Sequence, residues 1–270
     1  MLFLCNQRML IDLSGKNALV TGAGRGIGKA CALVLAKSGA NLIINDRKES
    51  PDLGQTKKEI INENVSCIAI TADVSSRAEC EKLIKEIQRE NISIDILISN
   101  PALSIREDFL KQLPNDFEKI IQTTLISGFY VSQLVAQTMV SKGTKGKMLF
   151  ISSVQAEMPI AQSAAYGCAK AGLNHLVRTI SVELSHHRIN VNAIQPGWID
   201  TPGEYEAFKE QTIQKEASKL PWGRLGSADE IAQAACFLVS DKSDYITGSI
   251  LTVDGGFRYK DFRTKIHQES

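Results

Sequence analysis

A tyrosine and a lysine stand four residues apart in the run Tyr166-Gly167-Cys168-Ala169-Lys170. On a helix, side chains at positions i and i+4 lie on one face, so the phenol and the ammonium would point toward one site. A free tyrosine titrates at a pH of about 10, and a neighbouring cation favours the phenolate and lowers its pKa. The spacing therefore predicts a general acid and base that works near neutral pH.

Ser153 supports this interpretation by its place in the chain. It lies thirteen residues before Tyr166 and directly after the run Met148–Ser152. Such a short, largely apolar run predicts a strand buried on both faces of a parallel sheet. Because ligand clefts open at the carboxyl ends of such strands, we expect Ser153 to reach the same site as the tyrosine.

A glycine-rich turn follows the first predicted strand. Gly22, Gly26 and Gly28 form the pattern GxxxGxG, which differs from GxGxxG but has the same physical use. The missing side chains let the backbone turn tightly and approach a pyrophosphate, which the next helix would meet with its free N–H groups. The pattern predicts a dinucleotide site, with a merely structural turn as the alternative.

Asp46 ends the second predicted strand, 18 residues after Gly28. A carboxylate in this position accepts hydrogen bonds from the adenine-ribose hydroxyls and repels a 2′-phosphate, which favours NAD. Arg25 and Arg47 lie nearby and would bind a 2′-phosphate if they did not turn to solvent. The sequence therefore predicts NAD, with NADP as the alternative.

Composition and charge narrow the class of protein. The chain has 270 residues, 43% of them hydrophobic, which is enough for a large core and excludes disorder as the main state. Lys and Arg number 31 against 30 Asp and Glu, so a nucleic-acid partner is not expected. No run of about 18 apolar residues predicts a membrane span, and the first residues lack a signal-peptide pattern. We expect a cytoplasmic protein.

The cysteines and histidines show no ligand spacing. The six cysteines contain no Cys-x-x-Cys pair, and the four histidines form no His-Glu-x-x-His motif. Buried free thiols in a reducing compartment are therefore the expected state of the cysteines. No metal site is predicted.

Short apolar runs alternate with amphipathic segments along the chain. Strands are predicted at 17–20, 42–45, 66–71, 94–99, 148–152, 189–194 and 249–253, and helices at 29–38, 55–63, 77–90, 116–141, 165–184 and 228–238. This alternation predicts an α/β fold with one doubly wound parallel sheet and helices on both of its faces. We expect a single domain at 10–256, an N-terminal extension at 1–9 and a C-terminal tail at 257–270.

Residues 201–226 break this rhythm, because they are longer than a typical connection. They carry apolar or aromatic residues at roughly helical spacing, namely Tyr205, Phe208, Ile213, Ala217 and Leu220. We expect a helical lid over the active site, with a plain surface helix as the alternative. These residues are called the lid segment below.

The motifs together resemble those of the short-chain dehydrogenase/reductase family. The resemblance runs from about Leu10 to Gly256. It rests on the glycine turn, Asp73-Val74, Ser153, Tyr166 with Lys170, Pro196-Gly197-Trp198-Ile199-Asp200-Thr201 and Asp254-Gly255-Gly256. It implies a Rossmann-like fold and an NAD(P)-dependent enzyme that interconverts a carbonyl and a secondary alcohol.

The resemblance also implies roles for individual residues. Tyr166 would exchange a proton with the substrate oxygen, Ser153 would hydrogen-bond that oxygen, and Lys170 would bind the nicotinamide ribose and lower the pKa of the tyrosine. Asp73 and Val74 would contact adenine. The full set implied for the cofactor is Gly22, Arg25, Gly26, Ile27, Gly28, Asp46, Arg47, Asp73, Val74, Asn100, Tyr166, Lys170, Ile199 and Thr201.

Two departures from the family pattern concern the site. The family commonly has Asn-Asn-Ala-Gly after its fourth strand, where this chain has Ser99-Asn100-Pro101-Ala102. Since proline removes an N–H and fixes φ, we expect the strand end to hold and the loop to differ. The family often has a catalytic Asn where this chain has Thr124. Thr124 would replace it in a proton relay through its hydroxyl or backbone carbonyl, or would be a tolerated variation.

The resemblance leaves the substrate open. A 3-oxoacyl thioester reductase is expected, with a sugar or polyol dehydrogenase, such as a glucose 1-dehydrogenase, as the alternative. A catalytically weak, cofactor-binding regulator is the alternative of another class. The small residues on the predicted helix that bears Tyr166 fit the family's habit of pairing such helices between subunits, so a homodimer or homotetramer is expected.

Overall fold

Seven parallel strands form the central sheet of the computed structural model, which describes residues 11–48, 50 and 52–262. The strands in chain order are β1 (Asn17–Thr21), β2 (Asn41–Asp46), β3 (Cys67–Thr71), β4 (Ile96–Ser99), β5 (Lys147–Ile151), β6 (Asn190–Pro196), β7 (Ile199–Asp200), β8 (Gly226–Ser227) and β9 (Ile250–Val253). The order across the sheet is β3-β2-β1-β4-β5-β6-β9, while β7 and β8 pair separately. The predicted doubly wound parallel sheet is confirmed.

Each central strand is buried on both faces because its residues alternate between two apolar layers. On β1, Val20 joins one layer and Leu19 the other. On β5, Leu149 and Phe150 divide in the same way. This explains why the strands are continuous apolar runs without the alternation of a half-exposed sheet.

Helices cover both faces of the sheet. In chain order they are α1 (Gly26–Lys37), α2 (Leu53–Ile61), α3 (Arg77–Arg89), α4 (Pro114–Ile121), α5 (Ser127–Lys142), α6 (Ala164–Leu184), α7 (Pro202–Ala207), α8 (Glu210–Ala217) and α9 (Ala228–Leu238). The apolar layer that contains Val20 includes α1, α2 and α9, and the layer that contains Leu19 includes α3, α5 and α6.

The long helix predicted at 116–141 is interrupted. A π-helical turn at Gln122–Ile126 separates α4 from α5, and the N–H of Ser127 bonds to the carbonyl oxygen of Gln122. Thr124 is buried in this turn, where its hydroxyl accepts a hydrogen bond from the N–H of Leu103 (3.0 Å) and donates one to the carbonyl of Leu103 (3.2 Å). The turn therefore holds the loop that follows β4.

The lid segment folds as two short helices, α7 and α8, above the β7–β8 pair. The helical spacing fails at Phe208, whose backbone is extended, so α8 restarts at Glu210. The segment has a small apolar cluster of its own, made of Ile213, Ala217, Leu220 and Leu225 with Trp198, Phe208 and Phe257 packed against it.

The predicted terminal segments lie largely outside the described residues. That holds for all of the extension at 1–9 and for residues 263–270 of the tail. The described start of the tail, Phe257–Phe262, is a 3-10 turn whose Phe257 packs on the lid cluster. Within the described chain, no helix combines the length and apolarity needed to cross a membrane.

Four of the cysteines are buried, as expected, whereas Cys168 is exposed, and each described cysteine is a free thiol. Burial raises the pKa of the Cys31 thiol to about 12, which keeps it protonated and unreactive. In the described ranges, no group of three His, Cys, Asp or Glu side chains could hold a metal ion.

Candidate active site

A cleft of about 1750 Å³ opens at the carboxyl edge of the sheet. It lies where the strand order changes direction between β1 and β4, which is where ligands bind in doubly wound sheets. The glycine turn and Asp46 line one part of it, and Ser153, Tyr166 and the lid segment line another. Ligand pockets usually measure roughly 300–1,000 Å³, so this cleft has room for a dinucleotide and a substrate together.

The glycine turn is built for a close approach of backbones. Gly22 has a φ of +64°, and its carbonyl accepts a hydrogen bond from Nδ2 of Asn100 at 3.0 Å. A Cβ on Gly28 would lie 2.1 Å from that carbonyl oxygen, so no other residue fits there without movement. The start of α1 is thereby pressed against the end of β1. This backbone cradle fits a pyrophosphate, which needs free N–H groups without side chains in the way.

Asp46 is fixed at the end of β2. Its carboxylate accepts hydrogen bonds from the N–H of Gly24 (2.9 Å), the N–H of Arg47 (2.8 Å) and the hydroxyl of Ser50 (3.1 Å). The carboxylate therefore stands beside the glycine turn, which is the position the sequence predicts for a group facing the ribose.

Arg25 does not turn freely into solvent. Its guanidinium forms a two-point ion pair with Glu206 on α7, with a contact of 3.1 Å between Nη2 and Oε2. This pair joins the glycine turn to the lid segment across the cleft. The side chain is thus already engaged by a carboxylate, whereas Arg47 is exposed.

The predicted acid–base group lies at the junction of β5 and α6. Lys170 is fully buried, and its Nζ donates a hydrogen bond to the carbonyl oxygen of Ile151 at 2.6 Å. Its Nζ lies 5.5 Å from the ring centroid of Tyr166, one helical turn earlier. Ser153, two residues after Ile151, lines the cleft together with Tyr166 and lowers the pKa of its phenol.

The predicted lowering of the tyrosine pKa is wrong for the protein alone. Burial raises the pKa of Tyr166 to about 12, and the hydrogen bond with Ser153 opposes this only in part. Burial also lowers the pKa of Lys170 to about 7, which weakens the positive charge on which the prediction relied. The phenol is therefore protonated at neutral pH and carries the proton that a carbonyl substrate would take up.

The structure brings most of the predicted residues to the cleft wall, but not all. Those that line it are Gly22, Arg25, Asp46, Arg47, Asp73, Val74, Asn100, Ser153, Tyr166 and Thr201. Gly26, Ile27, Gly28, Lys170 and Ile199 are not among the lining residues, and Ile199 is buried. Thr124 is also absent from the lining, and its hydroxyl is used by Leu103. The predicted relay role of that hydroxyl therefore has no support in this geometry.

No sequence motif indicates two charged residues, Glu204 and Arg106, that act on Tyr166. Glu204 raises the pKa of the phenol and Arg106 lowers it, so both charges act at the atom that would exchange a proton. Glu204 accepts a hydrogen bond from Nε1 of Trp198 at 2.7 Å. Both residues lie in irregular or short elements without a helical or strand periodicity. Only the folded chain therefore shows that both charges act on Tyr166.

Comparison with known proteins agrees with this geometry. Residues 22–258 match the family model described as enoyl-(acyl carrier protein) reductase. The chain belongs to the short-chain dehydrogenase/reductase family. The predicted family, and with it an NAD(P)-dependent oxidoreductase, is confirmed.

Relatives of this short-chain dehydrogenase/reductase act on different substrates by name. It is 34% identical to the 3-oxoacyl-[acyl-carrier-protein] reductase FabG of Vibrio cholerae, over 91% of this chain and 98% of that protein. It is 30% identical to glucose 1-dehydrogenase 2 of Bacillus subtilis, over 92% and 96% of the two chains.

Solved structures show which cofactors the relatives hold. A 7α-hydroxysteroid dehydrogenase complexed with NADH and 7-oxo glycochenodeoxycholic acid superposes with a TM-score of 0.86 at 33% identity, over 92% of this chain and 96% of that one. A putative 2-deoxy-D-gluconate 3-dehydrogenase from Agrobacterium tumefaciens, at a TM-score of 0.82, 30% identity and 91% and 97% coverage, has bound NADP. This short-chain dehydrogenase/reductase therefore has relatives with each nicotinamide cofactor.

Replacing the buried lysine should stabilise the protein. Because the pKa of Lys170 is lower in the native state, the native state binds this proton less tightly than the unfolded chain does. Lys170 therefore lowers the free energy of unfolding most below pH 7, and this loss fades as the pH rises toward 10.5. Lys170→Met should raise the free energy of unfolding by roughly 1–4 kcal/mol near neutral pH, with a smaller gain at higher pH.

Urea unfolding of both proteins at about pH 6.5, 8 and 9.5 measures this effect. Lys111→Met is the matched control, because Lys111 is exposed and forms only a 3.9 Å contact with Asp108. A loss of stability in Lys170→Met, or a gain that does not change with pH, would show that the ammonium is not penalised by burial.

Proposed function

We propose that this protein transfers a hydride between a nicotinamide cofactor and a substrate that alternates between a carbonyl and a secondary alcohol. The observation that carries the proposal is that Tyr166 and Ser153 line the same cleft as Gly22 of the glycine turn and Asp46. Proton exchange and dinucleotide binding thus have their groups in one cavity.

The side chains of the site have distinct roles in this reaction. In the reducing direction, Tyr166 gives its phenolic proton to the carbonyl oxygen while Ser153 donates a hydrogen bond to the same oxygen. In the oxidising direction, Tyr166 takes the proton back from the alcohol. Lys170, when protonated, stabilises the phenolate through its charge near the tyrosine ring. The nicotinamide supplies or accepts the hydride at the carbon that bears the oxygen.

The glycine turn and its neighbours would hold the cofactor. The backbone at Gly22, Gly26 and Gly28 would receive the pyrophosphate, with Ile27 packing the helix behind it. Asp46 would accept the ribose hydroxyls, which favours NAD over NADP. The remaining residues proposed at the cofactor are Arg25, Arg47, Asp73, Val74, Asn100, Tyr166, Lys170, Ile199 and Thr201.

Two substrate classes remain within this proposal, a 3-oxoacyl thioester and a sugar or polyol. The reductase of Vibrio cholerae supports the first and the glucose dehydrogenase of Bacillus subtilis the second. The complete Ser153, Tyr166 and Lys170 set argues against a mere cofactor-binding regulator. The expected homodimer or homotetramer stays a proposal, supported by the exposed Phe129 on α5 and Val182 on α6.

Removal of the Tyr166 hydroxyl should nearly abolish turnover. Tyr166→Phe should lower kcat by roughly 10²–10⁴-fold, because general acid–base catalysis contributes about that much, while the cofactor Kd stays within about threefold of wild type. Tyr245→Phe is the matched control, since Tyr245 is fully exposed and does not line the cleft. Turnover by Tyr166→Phe at the wild-type rate would assign the proton to another group.

NADH should bind more tightly than NADPH. Because Asp46 faces the predicted ribose position and Arg25 is paired with Glu206, we expect a preference of roughly tenfold or more in parallel fluorescence titrations. Asp46→Ala should weaken NADH binding and bring the Kd values for NADH and NADPH closer together. Tighter binding of NADPH would make Arg25 and Arg47 the ligands of a 2′-phosphate. If folded protein bound neither cofactor, the proposed function would be contradicted.

A further inference from the structure

Arg106 lies in the loop between β4 and α4 and lines the cleft together with Ser153 and Tyr166. Its guanidinium stacks over the ring of Phe208 in the lid segment, with 4.8 Å between the guanidinium carbon and the ring centroid. A planar cation held against an aromatic face keeps its N–H edges free for a second, in-plane partner. The contact therefore holds the guanidinium at the lid segment without using its hydrogen-bond donors.

Those donors have no partner within the described residues, where Arg106 forms no hydrogen bond and no ion pair. Two other arginines of the described chain pair with carboxylates. Arg25 lines the cleft and pairs with Glu206, and Arg258, next to the cleft residue Phe257, pairs with Glu157 and Asp254. Arg106 forms no such pair, so its guanidinium is available to a bound anion.

Glu204 also acts on Tyr166, but it is not an ion-pair partner of Arg106. Glu204 acts on the same phenol as Arg106, but it accepts the hydrogen bond of Trp198 and forms no ion pair with the arginine. The charge of Arg106 reaches the Tyr166 hydroxyl, since it lowers the pKa of that group. A ligand bound to the arginine would therefore lie close to the atom that exchanges the proton.

We propose that Arg106 binds a carboxylate of the substrate, so that the substrate is a short hydroxy acid or its oxo acid. This inference rests on the proposed function and narrows its substrate class. Arginine is suited to the task because its five donors form a rigid fork that matches a carboxylate in two parallel hydrogen bonds. The carboxylate would sit at Arg106 while Tyr166 and Ser153 hold the reacting oxygen.

The same geometry disfavours a thioester. In a 3-oxoacyl thioester the carboxyl group is esterified and carries no charge near the reacting carbonyl. A neutral sugar or polyol likewise offers no anion. A substrate with a free carboxylate near the reacting centre gives Arg106 a charged, two-oxygen acceptor while its reacting oxygen meets Tyr166.

Paired substrates in which a neutral group replaces the carboxylate test this proposal. 3-Hydroxybutanoate is compared with its ethyl ester, and D-gluconate with D-glucitol, by following cofactor reduction with NAD and NADP. The wild-type protein should favour the carboxylate in the pair that it accepts. Arg106→Gln should lower kcat/KM for that carboxylate by roughly 10–100-fold, mainly through KM, because the lost contact is a charge-assisted hydrogen bond.

Two further variants separate charge from folding. Arg106→Lys keeps the charge and should recover part of the loss. Lys111→Gln is the matched control, since Lys111 is an exposed cation on the same loop that does not line the cleft. The Kd for NADH should be unchanged in all three variants.

The outcomes distinguish this inference from the proposed function. Equal or better turnover of the neutral partners, or an equal loss for both members of a pair in Arg106→Gln, overturns the carboxylate assignment and leaves the proposed function standing. Failure of the wild-type protein to oxidise either carboxylate with either cofactor, although it binds the cofactor, also overturns the carboxylate assignment alone. Failure of the folded protein to bind either cofactor contradicts the proposed function itself.

Discussion

The burial of one ammonium group organises the candidate site. Lys170 sits fully inside the protein and donates its hydrogen bond to the carbonyl of Ile151, the last residue of β5. This contact ties helix α6 to the end of the central sheet. It also places Tyr166, one turn earlier, beside Ser153, which follows the same strand. A buried cation costs free energy, so the fold accepts a penalty at the point where the chemistry is proposed.

Close contact between the backbones of α1 and β1 is the second constraint, and it shapes the part of the cleft where the cofactor would bind. The start of α1 lies so close to β1 that Gly28 has no room for a Cβ. Asn100, directly after β4, donates a hydrogen bond to the carbonyl of Gly22. The Arg25–Glu206 pair then links this turn to the lid segment. The contacts that position the glycine turn for a dinucleotide thus also connect it to the lid segment. Substrate and cofactor would share the cleft between them.

The sequence was informative where local pattern and global fold agree. Continuous apolar strands separated by amphipathic helices predict a parallel sheet, because helical crossovers cover both faces of such a sheet and bury each strand on both sides. The π-helical turn at Thr124 could not be predicted, since one added residue changes no periodicity that a short window detects. The tyrosine pKa was predicted in the wrong direction, because spacing reveals the neighbouring lysine but not the burial of both groups. Arg106 was missed because a loop and a lid meet at Phe208 only in the folded chain.

Hydride transfer to the carbon that bears the substrate oxygen is the reaction we propose for this cleft. The most direct measurement is deuterium transfer, with the transferable hydrogen of the reduced nicotinamide replaced by deuterium and the product examined by mass spectrometry and NMR. We expect one deuterium on the carbinol carbon of the alcohol. Deuterium on a carbon of a former double bond, or none in the product, would contradict it.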